Sequence, residues 1–448
     1  MKETDVVVLG GSAAGLTAAV TARRHHPDKR VLVIRREKQV PVPCGIPYVF
    51  GTLGDPAKNV MPDAPYQANR IDLLLAEVEQ LNVADKTLHT SEGDVRYERL
   101  ILASGSLPAM PPVPGFEKDG VFAIQKDMAY LGSLLTRLKT AENVVIIGGG
   151  FIGIEFADEI HKLGKARITV VEMMPHCLSL AYDDEFCVEM EELLTKRGIA
   201  IRTSARVESI EGQGRAEAVL LSDGSRIEAD TVIVGIGAVP NVDLARKAGL
   251  RIGLTGGIAV DQTMMTSDAA VFACGDCAEK ISFFGGRHST LKLASIAQTE
   301  ARIAGANLFG IKRQNNGTVG VWSTCVGDLA LGTAGLTEAM ARQRGYDVVT
   351  ATIQGPNRHP GGMPGATQVK MKAVFERNSG VILGAQVRGD PAIGEMINAA
   401  SACVQMRMTV EDIATFQIGT HPALTASPVA YPLVNLAEMA ISQMRQHG

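Results

Sequence analysis

Three features of this 448-residue chain can do chemistry: a cysteine in a proline-bounded loop and two glycine-rich turns. Cys44 lies in Pro41-Val42-Pro43-Cys44-Gly45-Ile46-Pro47-Tyr48, ahead of an expected helix start. An amide dipole there would push the thiol toward the thiolate, which is the reactive form. Gly45 leaves room beside it for a flat ring or a second sulfur. A cysteine without such context is more often a small apolar filler. The other six, at 177, 187, 274, 277, 325 and 403, are scattered and read as reduced thiols, not as a disulfide framework. Cys274 and Cys277 form C-x-x-C, but no second pair accompanies them, so no metal site is expected.

The second glycine turn is the sharper signal. Val144 to Ile147 is followed by Gly148, Gly149, Gly150, Phe151, Ile152 and Gly153, a complete G-x-G-x-x-G between a strand and a helix. Such glycines let backbone approach a pyrophosphate, and the helix N-terminus supplies amide donors. Glu172 closes the next strand, 172 − 148 = 24 residues on, where a carboxylate accepts from a ribose hydroxyl. That carboxylate would repel a 2′-phosphate, and Met173, Met174 and Pro175 bring no cation, so NADH is favoured over NADPH. The first turn, after Val6 to Leu9, reads Gly10, Gly11, Ser12, Ala13, Ala14 and Gly15. Ser12 takes the middle glycine position, and Arg35 stands where an acid is expected, so the ribose contact is lost, replaced by backbone groups or made by Glu37.

Each turn sits in a strand–turn–helix–strand unit, completed by Val31 to Ile34 and by Ile168 to Val171. The chain therefore carries two Rossmann-type dinucleotide folds, and the chemically sensible pair of cofactors is NADH with FAD. Prolines at 108, 111, 112 and 114 mark a crossing, and Val232 to Asn241, with Gly237, marks a return, so the NAD domain is inserted in the FAD domain. Alternation at Val369, Met371, Ala373 and Phe375, a turn at Asn378-Ser379-Gly380, and alternation from Val381 to Val387 predict a hairpin in a third, α+β domain. The expected division is an FAD-binding domain over 1–110 and 241–318, an NAD-binding domain over 111–240, and the third domain over 319–448. The charge balance, 44 − 48 = −4, offers no basic surplus to a nucleic acid. The N-terminus reads as a strand, not a signal peptide, and no apolar run approaches a bilayer span, so a cytoplasmic location is expected.

The order of Gly10 to Gly15, Leu100-Ile101-Leu102-Ala103-Ser104-Gly105-Ser106, Gly148 to Gly153 and Val271-Phe272-Ala273-Cys274-Gly275-Asp276-Cys277 resembles the flavoprotein pyridine nucleotide-disulfide oxidoreductases over almost the whole chain. The resemblance implies that Gly275 and Asp276 hold the flavin ribityl and phosphate region, with Ser104, Gly105 and Gly237 also lining cofactor sites. It makes the third domain a dimerisation domain and the protein a homodimer. It places Phe151 as an aromatic gate over the flavin and Glu155 near the nicotinamide. Cys44 with Gly45-Ile46-Pro47-Tyr48 is similar to the single-cysteine branch of CoA-disulfide reductases, persulfide reductases and NADH oxidases. Position 49 is Val, where the glutathione-reductase branch has a second cysteine, so Cys44 must react with an external partner.

For the acceptor, Ala13 stands where the oxidase and peroxidase members carry a histidine, which removes a helper for oxygen chemistry. Thr17, Arg23 and Arg24 match helix positions that CoA-disulfide reductases offer to CoA. The partner-subunit tyrosine of those enzymes is missing; the stretches there read Arg358-His359-Pro360 and Thr420-His421-Pro422. His421-Pro422 resembles the His-Pro of the glutathione-reductase branch, so His421 is a candidate acid–base residue, ahead of His359. The expected reaction passes hydride from NADH through FAD and Cys44 to a small disulfide, persulfide or polysulfide, with CoA-linked acceptors included. The alternatives are an NADH oxidase working through a Cys44 sulfenic acid and an electron-relay or redox-sensing flavoprotein that docks a protein partner.

Overall fold

A computed structural model describes residues 1–445. The runs Val6–Val8 and Val31–Ile34 are buried on both faces, as central strands of a parallel sheet must be. Lys2–Leu9 lies between Val31–Arg35 and Val95–Leu102, parallel to both, and Asp72–Leu75 extends the sheet at one edge. Val271–Ala273, from beyond the second glycine turn, returns to pair with Val95–Leu102, aligning Val271 with Leu100. Helices Ala13–His25 and Ala294–Asn307 pack against each other beside this sheet.

A second sheet, entirely parallel, runs Ala200–Arg202, Arg167–Val171, Asn143–Ile147, Thr231–Val234, Val121–Ala123. The outgoing and returning chains meet between the two sheets, where Ser106–Pro108 pairs antiparallel with Ala238–Pro240. The ribbon thus continues Val95–Leu102 and Thr231–Val234, the strands paired with those that lead into the two glycine turns. Among the described residues, no helix is long and apolar enough to cross a membrane.

The C-terminal part is a five-stranded antiparallel sheet, with Gln368–Glu376 and Ile382–Gly389 as its hairpin. Helix Ile393–Gln405 packs on one part of it and helix Pro432–Arg445 on another. Lys372 and Gln386 on this hairpin are buried. The second domain covers them. Lys372 Nζ lies 3.0 Å from Asp183, 2.8 Å from Glu185 and 2.9 Å from Glu338. Gln386 accepts from the Asp183 amide at 2.7 Å and donates to its carboxylate at 2.6 Å. Glu189 receives Lys370 and Arg388 at 2.9 and 2.6 Å. Removing one member of a buried charge cluster strands the others, at about 3 kcal/mol or more. Lys372→Met is therefore expected to lower the unfolding midpoint by several degrees; an unchanged midpoint in a thermal scan would show the junction to be held by apolar contacts alone.

Candidate functional site

The first turn is close-packed. A side chain on Gly10 would collide with the Ala103 carbonyl, and one on Gly15 with the Gly10 carbonyl. Ser12 takes the N-cap of helix Ala13–His25 in an extended conformation (φ −85°), and its hydroxyl caps no helix amide. The first-turn amides therefore keep the character of an anion site. Arg35 has its guanidinium donors engaged within the chain. Its alkyl stem lies against Gly11, and its buried guanidinium is bidentate to Asp63 at 2.7 and 2.8 Å and donates to the Glu37 and Lys38 carbonyls. Its side chain backs the first glycine turn. The Glu37 carboxylate pairs with Arg36 at 2.9 Å.

The second turn has the same packing with one opening. Gly148 has φ +107° and faces the Gly235 carbonyl, and Gly153 abuts the Gly148 carbonyl. Gly149 is backed by the Cys177 thiol and the Glu172 side chain. At Gly150 a Cβ would meet nothing within 4 Å, so the chain leaves open space where a dinucleotide backbone fits. Glu172 is braced from behind, accepting from the Gly149 amide at 2.6 Å and the Met174 amide at 2.8 Å. Its fixed carboxylate suits a ribose hydroxyl. Ile152 is exposed at the same helix start.

Beyond the turns, separate segments converge. Ser104 Oγ donates to the Asn241 carbonyl at 2.7 Å, and the Asn241 amide donates to the Gly105 carbonyl. Gly237 accepts from Ala109. Ser106 Oγ donates to Asp276 at 2.8 Å, and Lys126 Nζ stands 3.7 Å from the same carboxylate and 3.3 Å from Ser106 Oγ. Asp276 follows Gly275 in the short 3₁₀ turn Gly275–Cys277. Cys274 and Cys277 are buried, and the Cys277 thiol donates to the Leu102 and Cys274 carbonyls, which makes them packing elements of that turn.

Cys44 is exposed, but two expectations about its loop need correction. Proline at 43 and at 47 gives successive 3₁₀ turns, Pro43–Gly45 and Pro47–Phe50, instead of an α-helix whose dipole could lower the thiol pKa. The surrounding protein desolvates the thiol and raises its pKa above the ordinary value; Glu155 adds to this, Lys126 opposes it and Asp276 raises it further. Nor does Gly45 leave vacant room: a Cβ there would strike the Asn59 side chain, whose amide donates to the Val42 carbonyl at 3.0 Å. Gly45 lets Asn59 pin the loop.

Glu155, on helix Phe151–His161 after the second turn, lies within electrostatic reach of Cys44. Burial pushes its carboxyl up to about 7, against a 2.8 Å hydrogen bond from Thr324. Phe151 stacks on Trp322, centroids 6.0 Å apart and planes 13° from parallel, and lies 6.0 Å from the ring of Tyr182. Trp322, Thr324, Lys126 and Asn59 escape a sequence reading because each comes from a segment with no motif of its own. His359 and His421 share one loop cluster: the His359 amide donates to Pro422, and its Nδ1 sits 3.0 Å from the Thr425 carbonyl. His421 is exposed, and its Nδ1 accepts from the Ala423 amide at 3.2 Å. No hydrogen bond among the described residues links either histidine to Cys44 in the same chain. Thr17 is half-buried and Arg24 exposed. Arg23 is not free for a phosphate, because it donates to the carbonyls of Pro27, Lys29 and Asn69.

The sequence pattern of the pyridine nucleotide-disulphide oxidoreductases matches residues 4–301, and that of their dimerisation domain matches residues 321–430. The chain is 34% identical to an NAD(P)H coenzyme A polysulfide/persulfide reductase of Pyrococcus horikoshii, over 97% of this chain and 98% of the relative. It is 30% identical to an NADH oxidase of Methanocaldococcus jannaschii, over 98% and 99%. The solved structure of an NAD-dependent persulfide reductase from A. fulgidus superposes with a TM-score of 0.91 at 31% identity, covering 99% of this chain and 84% of that one. With both cofactor turns, the thiol loop and the C-terminal sheet accounted for, the chain belongs to the pyridine nucleotide-disulphide oxidoreductases.

Proposed function

We propose that this oxidoreductase carries electrons from NADH to a sulfur acceptor at Cys44, with FAD as the cofactor between them. The observation that carries the reading is convergence: one exposed thiol lies within the electrostatic reach of Glu155, from the second turn's helix, and of Asp276, from the first domain. Bound FAD would supply the two-electron relay between a hydride donor and a thiol. The residues present fit it: close-packed glycines at Gly10 and Gly15, a free helix start at Ser12, and Asp276 held by Ser106.

Glu172 and the open face of Gly150 orient the nucleotide, and Phe151 and Glu155 border the nicotinamide end. Cys44 attacks the outer sulfur of a persulfide, or one sulfur of a disulfide, and becomes a persulfide or mixed disulfide as the leaving thiolate takes a proton. The two electrons that NADH supplies then break that S–S bond, freeing H₂S or the second thiol and restoring the Cys44 thiol. For a persulfide the sum is RSSH + NADH + H⁺ giving RSH, H₂S and NAD⁺. The name of the Pyrococcus relative supports a CoA-linked acceptor. Arg24 and Thr17 remain available to it, whereas Arg23 does not. The NADH oxidase name of another relative supports oxygen as a second acceptor. The dimerisation domain and the exposed Phe416, Leu424 and Val429 around His421 support a homodimer in which His421 serves the partner's thiol.

Steady-state NADH oxidation should be measured with CoA persulfide, polysulfide, CoA disulfide and oxygen in parallel. Sulfur acceptors are expected to exceed oxygen about tenfold or more in kcat/KM, a transition-state preference of about 1.4 kcal/mol or above. Oxygen uptake equal to the best sulfur rate would favour the oxidase instead.

A further inference from the structure

The turn that carries Asp276 rests on two buried charges. Lys280 and Glu300 have side chains only 2% and 1% exposed, and their Nζ and Oε2 are 3.4 Å apart. Lys280 Nζ also donates to the Gly275 carbonyl at 2.7 Å and the Ala278 carbonyl at 3.0 Å, besides its ion pair with Glu300. Glu300 Oε2 accepts from the Gly275 amide at 2.8 Å, while Oε1 is buried with no partner. The pair thus grips both sides of one residue, whose amide meets the carboxylate and whose carbonyl meets the ammonium. That residue has φ +79°, and a Cβ on it would come within 2.9 Å of Ala14, at the start of the first turn's helix.

Two ionisable groups this deep are rare, and a hydrophobic pair of similar volume often stabilises a fold as well or better. General stability therefore accounts poorly for them. Their hydrogen bonds instead fix the direction of the peptide planes around Gly275, and with them the carboxylate of the next residue, which Ser106 and Lys126 hold from the other side. We infer that Lys280 and Glu300 are a positioning pair that holds the Gly275–Asp276 turn in the geometry required to retain FAD. The inference rests on the reading of this turn as flavin-binding.

The test is the rate at which the purified holoenzyme releases FAD on dilution, followed by the fluorescence of the freed flavin, with the visible spectrum of the bound flavin recorded alongside. Lys280→Met takes the donor from two carbonyls and is expected to release FAD about 10-fold faster or more, with an altered bound-flavin spectrum. Glu300→Gln is nearly isosteric and keeps an acceptor for the Gly275 amide; about 3-fold faster release is expected. A thermal scan of each variant separates loss of fold from loss of flavin. Parent-like release and spectrum in Glu300→Gln, or in a folded Lys280→Met, overturn the inference even if the melting temperature falls. A parent protein purified without flavin, and unable to take it up, overturns the flavin reading itself.

Discussion

Exchanging Cys44 for serine is expected to lower turnover with persulfide or disulfide acceptors on the order of 10³-fold, while NADH still reduces the bound flavin at close to the parent rate. Sulfur differs from oxygen here in two ways. A serine hydroxyl stays protonated throughout the neutral range, and it cannot form the mixed disulfide through which electrons reach an outside sulfur. Glu155, Asp276 and Lys126, the groups around the thiol, remain in place, so delivery of hydride does not depend on the change. Stopped-flow reduction separates the two half-reactions. A serine variant that keeps its full rate with every sulfur acceptor sinks the thiol mechanism; one that loses flavin reduction as well shows a damaged site instead. The raised thiol pKa adds a sign to this prediction. Because desolvation by the surrounding protein and Glu155 favour the protonated thiol of Cys44, alkylation should speed up as pH rises toward and past the ordinary thiol range. Lys126 is the side chain that opposes this, so its loss should slow alkylation.

Legibility in the sequence followed the range of the forces involved. The glycine turns could be read because part of their requirement is local: Gly15 and Gly153 would each strike the carbonyl five residues back, of Gly10 and Gly148, which is a steric fact of the segment itself. The hairpin from Gln368 to Gly389 was legible for the same reason, through alternation and a turn. Its outer face was not, since what covers Lys372 and Gln386 arrives from residues 183 to 189 of another domain. The expected helix dipole at Cys44 failed locally: prolines on both sides favour tight 3₁₀ turns with little dipole, and desolvation of the thiol outweighs it. Arg35 could not be resolved by spacing at all. It stands at the ribose position in sequence, yet Asp63, 28 residues on, claims its guanidinium.

The glycines of the second turn allow packing and binding to be told apart by paired substitutions. Gly153→Ala puts a Cβ against the Gly148 carbonyl, whose own residue is held at φ +107°, so neither backbone can yield without opening the turn. Lost stability of about 1–3 kcal/mol is expected together with a rise in the KM for NADH on the order of 100-fold. Gly150→Ala meets nothing in the chain, and its extended φ of −72° suits alanine. Stability should therefore move by less than about 1 kcal/mol, since no contact is broken and the unfolded chain loses some freedom. The added methyl instead projects into the space that the dinucleotide backbone must enter. NADH affinity is expected to fall about 10-fold or more, with flavin reduction at saturating NADH little changed, because the groups that border the nicotinamide lie beyond the turn. Titration of NADH with Trp322 fluorescence as the signal reads this directly, since it is the one tryptophan of the chain and stacks on Phe151 next to the altered residue. If Gly150→Ala binds NADH as the parent does, the open space over that glycine is not where the dinucleotide lies, and the assignment of the turn falls even though its sequence pattern is complete.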